Sequence, residues 1–126
     1  MRSITGAAFV SLDGVMQAPG GLAEDVTGGF GLGGWLAAVA DEAVAETVAR
    51  LFTPPYALLL GRRTFDIFAG HWPHVSGEEA AFGAALTAAD KHVATGRDAP
   101  LPWANSHRLR GIDHVATRRR ARGRTC

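Results

Sequence analysis

Residues 56–64 read YALLLGRRT. The apolar run lies directly behind Thr53-Pro54-Pro55, is too short for a helix and lacks polar alternation, which is the pattern of a strand covered on both faces. Gly61 ends it, and RRTFDIF over residues 62–68 begins a helix with Thr64 near its start. A buried strand running straight into a helix is half of a βαβ unit. The expected class is therefore α/β, with a mostly parallel sheet flanked by helices.

The neighbouring segments extend this pattern. Downstream, Ser76 and Glu79 have capping-box spacing for a helix over residues 78–88. KHVAT (91–95) reads as a strand, 101–105 as a loop and 106–110 as a short further strand. Upstream, Val44, Val48, Leu51 and Phe52 recur at helical spacing. Asp41, Glu42 and Glu46 lie toward the end where they complement the helix dipole, so 41–52 is expected to be an amphipathic helix. ITGAAFV (4–10) is expected to be a buried first strand that turns at Asp13-Gly14. Between it and the helix, residues 14–34 hold eight of the chain's sixteen glycines. A loop of that length in a small domain is usually functional or disordered, and Met16, Phe30, Leu32 and Trp35 in or beside it argue for the first.

Size and composition bound the answer. At 126 residues and 13.2 kDa the chain is expected to be a single domain with a core of its own. One cysteine, Cys126, excludes an internal disulfide framework. Neither a membrane-spanning apolar stretch nor a signal-like opening is present, so the expected location is cytoplasmic. Charge is unevenly spread: residues 1–110 carry eight basic and eleven acidic side chains, whereas residues 111–126 carry five arginines and one aspartate.

Ligands of open α/β sheets bind beyond the carboxyl ends of the strands, which directs attention to three places. Gly61-Arg62-Arg63-Thr64 combines backbone N–H groups, two guanidinium groups and a hydroxyl at a strand-to-helix junction, a donor set suited to phosphate. The plainer alternative is a glycine turn with solvated arginines and a capping threonine. Thr95-Gly96-Arg97-Asp98 follows the next strand, where an arginine suits an adenosine 2′-phosphate, although a surface turn is the better explanation of this segment taken alone. Asp13, after the first strand, is a candidate partly desolvated carboxylate able to orient a polar ring or relay a proton; a turn-forming Asp-Gly is the commoner role.

Other signals are weaker. His71 and His74 are separated by Trp72-Pro73, which breaks the helix needed to align them, and no metal site is expected. Trp35, Trp72 and Trp103 suit either a pocket wall or packing. The arginines after residue 117 support no more than non-specific electrostatic affinity, so a nucleic-acid partner is not expected.

AAFVSLDGVMQAPGG (7–21), GGW (33–35), LLLGRRTFDIFAGHWP (58–73) and KHVATGRDAPLPWANSHRLRG (91–111) together resemble the dihydrofolate-reductase-like family. The similarity is to bacterial proteins related to the reductase domain of the bifunctional riboflavin-biosynthesis deaminase-reductase. It implies a cytoplasmic NADPH-dependent reductase, a small heterocyclic substrate and a homodimer. It further implies that Gly61, Arg62, Arg63 and Thr64 hold cofactor phosphates, and that Thr95, Gly96 and Arg97 contact the adenosine end. Ala8, Ser11, Asp13, Gly14 and Trp35, with Val15 and Met16 beside them, would line the nicotinamide and substrate pocket, with Asp13 supplying or relaying the proton.

The resemblance departs in two places. Relatives commonly carry Ser-Arg-Thr where this chain has Thr95-Gly96-Arg97, which shifts the expected phosphate contact by one residue. Relatives also continue past residue 111 with further strands, helices and a second glycine-rich turn. Residues 112–126 match none of these, and are expected to be a disordered basic tail or the product of a shifted reading frame. The alternative to an active reductase is a non-catalytic remnant stabilised by pairing.

Overall fold

The glycine-rich stretch is an organised loop. Gly34 N donates to Ala18 O at 2.8 Å, Leu36 N to Pro19 O at 3.1 Å, and Glu24 Oε2 accepts from Gly20 N and Gly21 N. Gly33 has no alternative here, because a Cβ would stand 2.5 Å from Leu22 O and 2.6 Å from Gly21 O. The computed structural model describes residues 3–111, and this loop belongs to the first of two compact units, Ile4–Thr53 and the residues from Pro54 onward.

The first unit contains two helices, α1 (Trp35–Val39) and α2 (Glu42–Leu51). Asp41 caps α2, its carboxylate accepting from Val44 N at 3.1 Å, so the acidic opening read from sequence acts through one specific cap. α1 was not foreseen; its one and a half turns begin behind Gly34, which is in the left-handed region at φ 78°.

The expected strand over residues 4–10 does not form. That segment has no regular structure, and Ile4, Phe9 and Val10 are exposed. An apolar run records suitability for a sheet interior, but a strand exists only when a neighbour satisfies its backbone groups. The first unit contains no strand among its described residues to act as that neighbour.

The second unit is the βαβ structure expected from residues 56–64. β1 (Leu58–Gly61) passes without a loop into α3 (Arg62–His71), and α4 (Ala80–Ala88) leads to β2 (Lys91–Ala94) and β3 (Ser106–Leu109). The sheet order is β1-β2-β3, all parallel, with Leu60 opposite Val93 and Val93 opposite Arg108. Phe65, Leu86, Val93, Trp103 and Leu109 are buried. The Phe65 and Trp103 rings lie 6.1 Å apart, and Trp72 meets Phe82 edge-on at 4.8 Å.

One local expectation needs correction. The capping box is not made, since Ser76 forms no side-chain cap and α4 starts only at Ala80 behind a 3-10 turn over Gly77–Glu79. Gly77, at φ 68°, bends the chain between Ser76 and Glu79 and removes them from the N-cap and N3 positions of one α-turn. Lys91 opens β2 in complete burial. Its Nζ donates to the carbonyls of Leu86, Thr87 and Ala89 at 2.7, 2.9 and 2.7 Å and lies 4.3 Å from the centre of the Trp103 ring. A cation thus closes the C-terminal end of α4, where carbonyls lack intrahelical partners. The expected basic tail at 112–126 lies outside the described residues. No helix among the described residues is long and apolar enough to cross a membrane.

Candidate functional site

The three parallel strands end together, and a groove of about 830 Å³ opens beyond their carboxyl ends. β1 contributes Leu59, Leu60 and Gly61, and β2 contributes Ala94 and the following Thr95, Gly96, Arg97 and Asp98. β3 contributes Arg108 and Leu109, followed by Arg110 and Gly111. Gly61, Thr95, Gly96 and Arg97 of the expected cofactor set are therefore brought to one place. Parallel pairing explains this, because it aligns every strand-to-loop junction on one edge.

Gly61 stands at the N-cap of α3 with extended backbone and offers no side chain to cap the first turn. Thr95 Oγ1 accepts from Arg97 N at 3.1 Å, which folds the start of the loop after β2. Arg97 is exposed, and its guanidinium has no ion-pair or hydrogen-bond partner among the described residues.

Arg62 is committed elsewhere. Its Nε donates to Asp66 Oδ1 at 2.9 Å, and its terminal nitrogens donate to Ala99 O at 3.1 Å and Pro100 O at 3.0 Å. The side chain fastens the loop after β2 to the start of α3, a positioning role in place of the expected phosphate contact. Arg63 and Thr64 occupy exposed positions in the first turn of α3 and do not line the groove.

Arg108 and Arg110 were absent from the expected set. Arg108 donates to Asp98 Oδ1 at 3.1 Å and to Ala99 O at 2.6 Å, and Arg110 reaches the same Asp98 oxygen at 3.7 Å. Their spacing of two along SHRLRG is a sequence signal, since alternate residues of a strand share a face. No family model and no curated protein matches the chain.

The residues expected to face substrate belong to the first unit. Ser11, Asp13 and Gly14 form a tight turn: Gly14 N donates to Ser11 O at 3.0 Å, Val15 N to Ser11 Oγ at 2.8 Å, and Ser11 Oγ to Asp13 Oδ1. Asp13 is exposed rather than desolvated. Ala8 is exposed on the segment without regular structure, and Trp35 Nε1 donates to Gln17 O at 2.9 Å within the glycine loop. Of the other tryptophans, Trp72 packs on Phe82, while Trp103 is buried with its Nε1 donating to Thr87 Oγ1 at 2.9 Å. Among the described residues no group of three or more His, Cys, Asp or Glu side chains is arranged to hold a metal.

The groove is lined by three arginines and one aspartate. Arg97 is exposed, Arg108 and Arg110 both engage Asp98, and Gly61 at the start of the ten-residue α3 lies beside them. The groove's apolar lining is Leu59, Leu60, Ala94 and Leu109.

Proposed function

We propose that the chain is an NADPH-dependent reductase with a dihydrofolate-reductase-like fold, of the kind related to the riboflavin-biosynthesis reductase domain. It would act on a small pyrimidine- or pterin-like heterocycle. The observation that carries this reading is the groove at the carboxyl edge of the parallel sheet, where Gly61, Gly96 and Arg97 meet. A volume near 830 Å³ falls in the range of small-molecule and cofactor sites, roughly 300–1,000 Å³. The donor set fits a phosphate-bearing dinucleotide, with Arg97 taking its negative charge beside the backbone of Gly61 and Gly96.

NADPH, when bound, supplies the hydride. The chain's own residues bind and orient: Arg62 holds the loop that carries Arg97, and Gly61 and Gly96 let phosphate oxygens approach the backbone.

A second reading, a non-catalytic chain stabilised by pairing with another copy, draws on Leu59, which is 46% exposed in the middle of β1. Titrating the full chain with NADPH while following tryptophan fluorescence and Tm separates the two. The reductase reading expects saturation and a rise in Tm, since ligand at 100 times Kd stabilises by about 2.7 kcal/mol. No change at millimolar NADPH, together with a concentration-dependent dimer in sedimentation, replaces it with the second.

A further inference from the structure

We infer that Asp98 is an anion the chain supplies to its own groove, and that a phosphate-bearing ligand binds by displacing this carboxylate from Arg108 and Arg110. The inference rests on the groove being the ligand site proposed above, and it adds the residues that set its selectivity for charge.

One carboxylate oxygen serves two guanidinium groups, Asp98 Oδ1 lying 3.1 Å from Arg108 and 3.7 Å from Arg110. A phosphate has enough oxygens to give each guanidinium its own acceptor and carries up to two charges, so it is the better partner for the same pair. Arg108 is pre-positioned for the exchange: its other terminal nitrogen is fixed on Ala99 O at 2.6 Å, and its side chain is only 20% exposed. That anchor is a backbone carbonyl that Arg62 also holds, so the guanidinium keeps its aim when the carboxylate leaves. The Asp98 side chain, by contrast, is 92% exposed and returns to water with almost no change in solvation. Arg97, one residue before it, adds a third cation to the incoming ligand.

The magnitude of this competition is small. Exposed ion pairs are worth about 0–1 kcal/mol, equivalent to at most roughly a fivefold loss of ligand affinity. A phosphate overcomes that, whereas a monoanion such as acetate gains nothing by replacing one carboxylate with another. Asp98 thereby makes the groove selective for doubly charged ligands.

Calorimetric titration of the full chain with inorganic pyrophosphate at low salt tests the exchange. Asp98→Asn, which keeps size and shape, is expected to tighten pyrophosphate about two- to fivefold, and Arg110→Gln to weaken it. Unchanged or weaker binding to Asp98→Asn overturns the inference and makes Asp98 a latch for its loop, as does the absence of pyrophosphate binding to the natural chain. A second measurement avoids substitution altogether. The carboxyl carbon resonance of Asp98 in the natural chain should move toward that of a solvated aspartate as pyrophosphate saturates, and a stationary resonance opposes displacement. NADPH is titrated in parallel. Tighter pyrophosphate binding without NADPH binding preserves this inference and removes the cofactor reading, whereas NADPH binding with Asp98→Asn unchanged does the reverse.

Discussion

Replacing Lys91 by methionine keeps most of the side-chain volume while removing the ammonium group that closes α4. The natural side chain makes three charge-assisted bonds, to Leu86, Thr87 and Ala89 carbonyls, each worth about 1.5–3 kcal/mol. Asn105 Nδ2 still reaches Thr87 O at 3.0 Å, which softens one of the three losses. Against this stands the desolvation of the buried charge, which lowers the Lys91 pKa from 10.5 to about 8, partly opposed by Asp90, and costs at most about 3 kcal/mol at pH 7. The balance is a net loss of about 2–5 kcal/mol for Lys91→Met, or a fall in Tm on the order of 10 °C or more for a small domain. The pH dependence supplies an independent sign. Between pH 8 and 10.5 the unfolded chain retains a proton that the folded chain has lost, so the natural protein gains stability as pH rises through that window. Tyr56, raised by burial, acts oppositely above pH 10, which leaves pH 8–10 as the informative range. Urea unfolding of both proteins at pH 7, 8, 9 and 10 checks this, with the gap between them widening with pH. A variant within about 0.5 kcal/mol of the natural protein at pH 7, or a gap that narrows with pH, would refute the reasoning.

Arg97→Gln should weaken NADPH and pyrophosphate binding by about tenfold without changing Tm, because its guanidinium has no partner to lose among the described residues; titration calorimetry beside a melting curve reads both. Gly83→Ala places a Cβ 2.5 Å from Trp72 O and from Val75 Cγ2, and should destabilise by about 1–3 kcal/mol despite alanine's better helix propensity; a midpoint equal to the natural one in urea would count against this close approach. Asp41→Ala removes the cap on α2 at Val44 N and should cost about 1 kcal/mol, read as lost helical circular dichroism at the temperature where residues 42–51 begin to melt.

Much of the second unit was legible in the chain. The apolar run before Gly61, the helix behind it and KHVAT each announced their class, and β1, α3 and β2 begin or end within two or three residues of the expected positions. Local chemistry was sufficient because each element satisfies its pattern with its own residues. The groove was legible to the same extent: once strands are parallel, Gly61 and Thr95–Arg97 must share an edge. The segment 4–10 failed for the complementary reason, since its apolar composition says nothing about whether a neighbouring strand exists to pair with it.

Sequence by itself determined the α/β class, the parallel edge and the presence of cationic donors along it. Only the tertiary structure decided which cations remain available there. Arg62 is spent on carbonyls 37 and 38 residues away, Lys91 is drawn under the end of α4, and Arg108 meets an aspartate ten residues before it. A guanidinium reads the same in a sequence whether it grips its own backbone or awaits a ligand. The difference lies in distances between residues that no local pattern connects, and it leaves Arg97 exposed at the groove while Arg62 holds the loop in place.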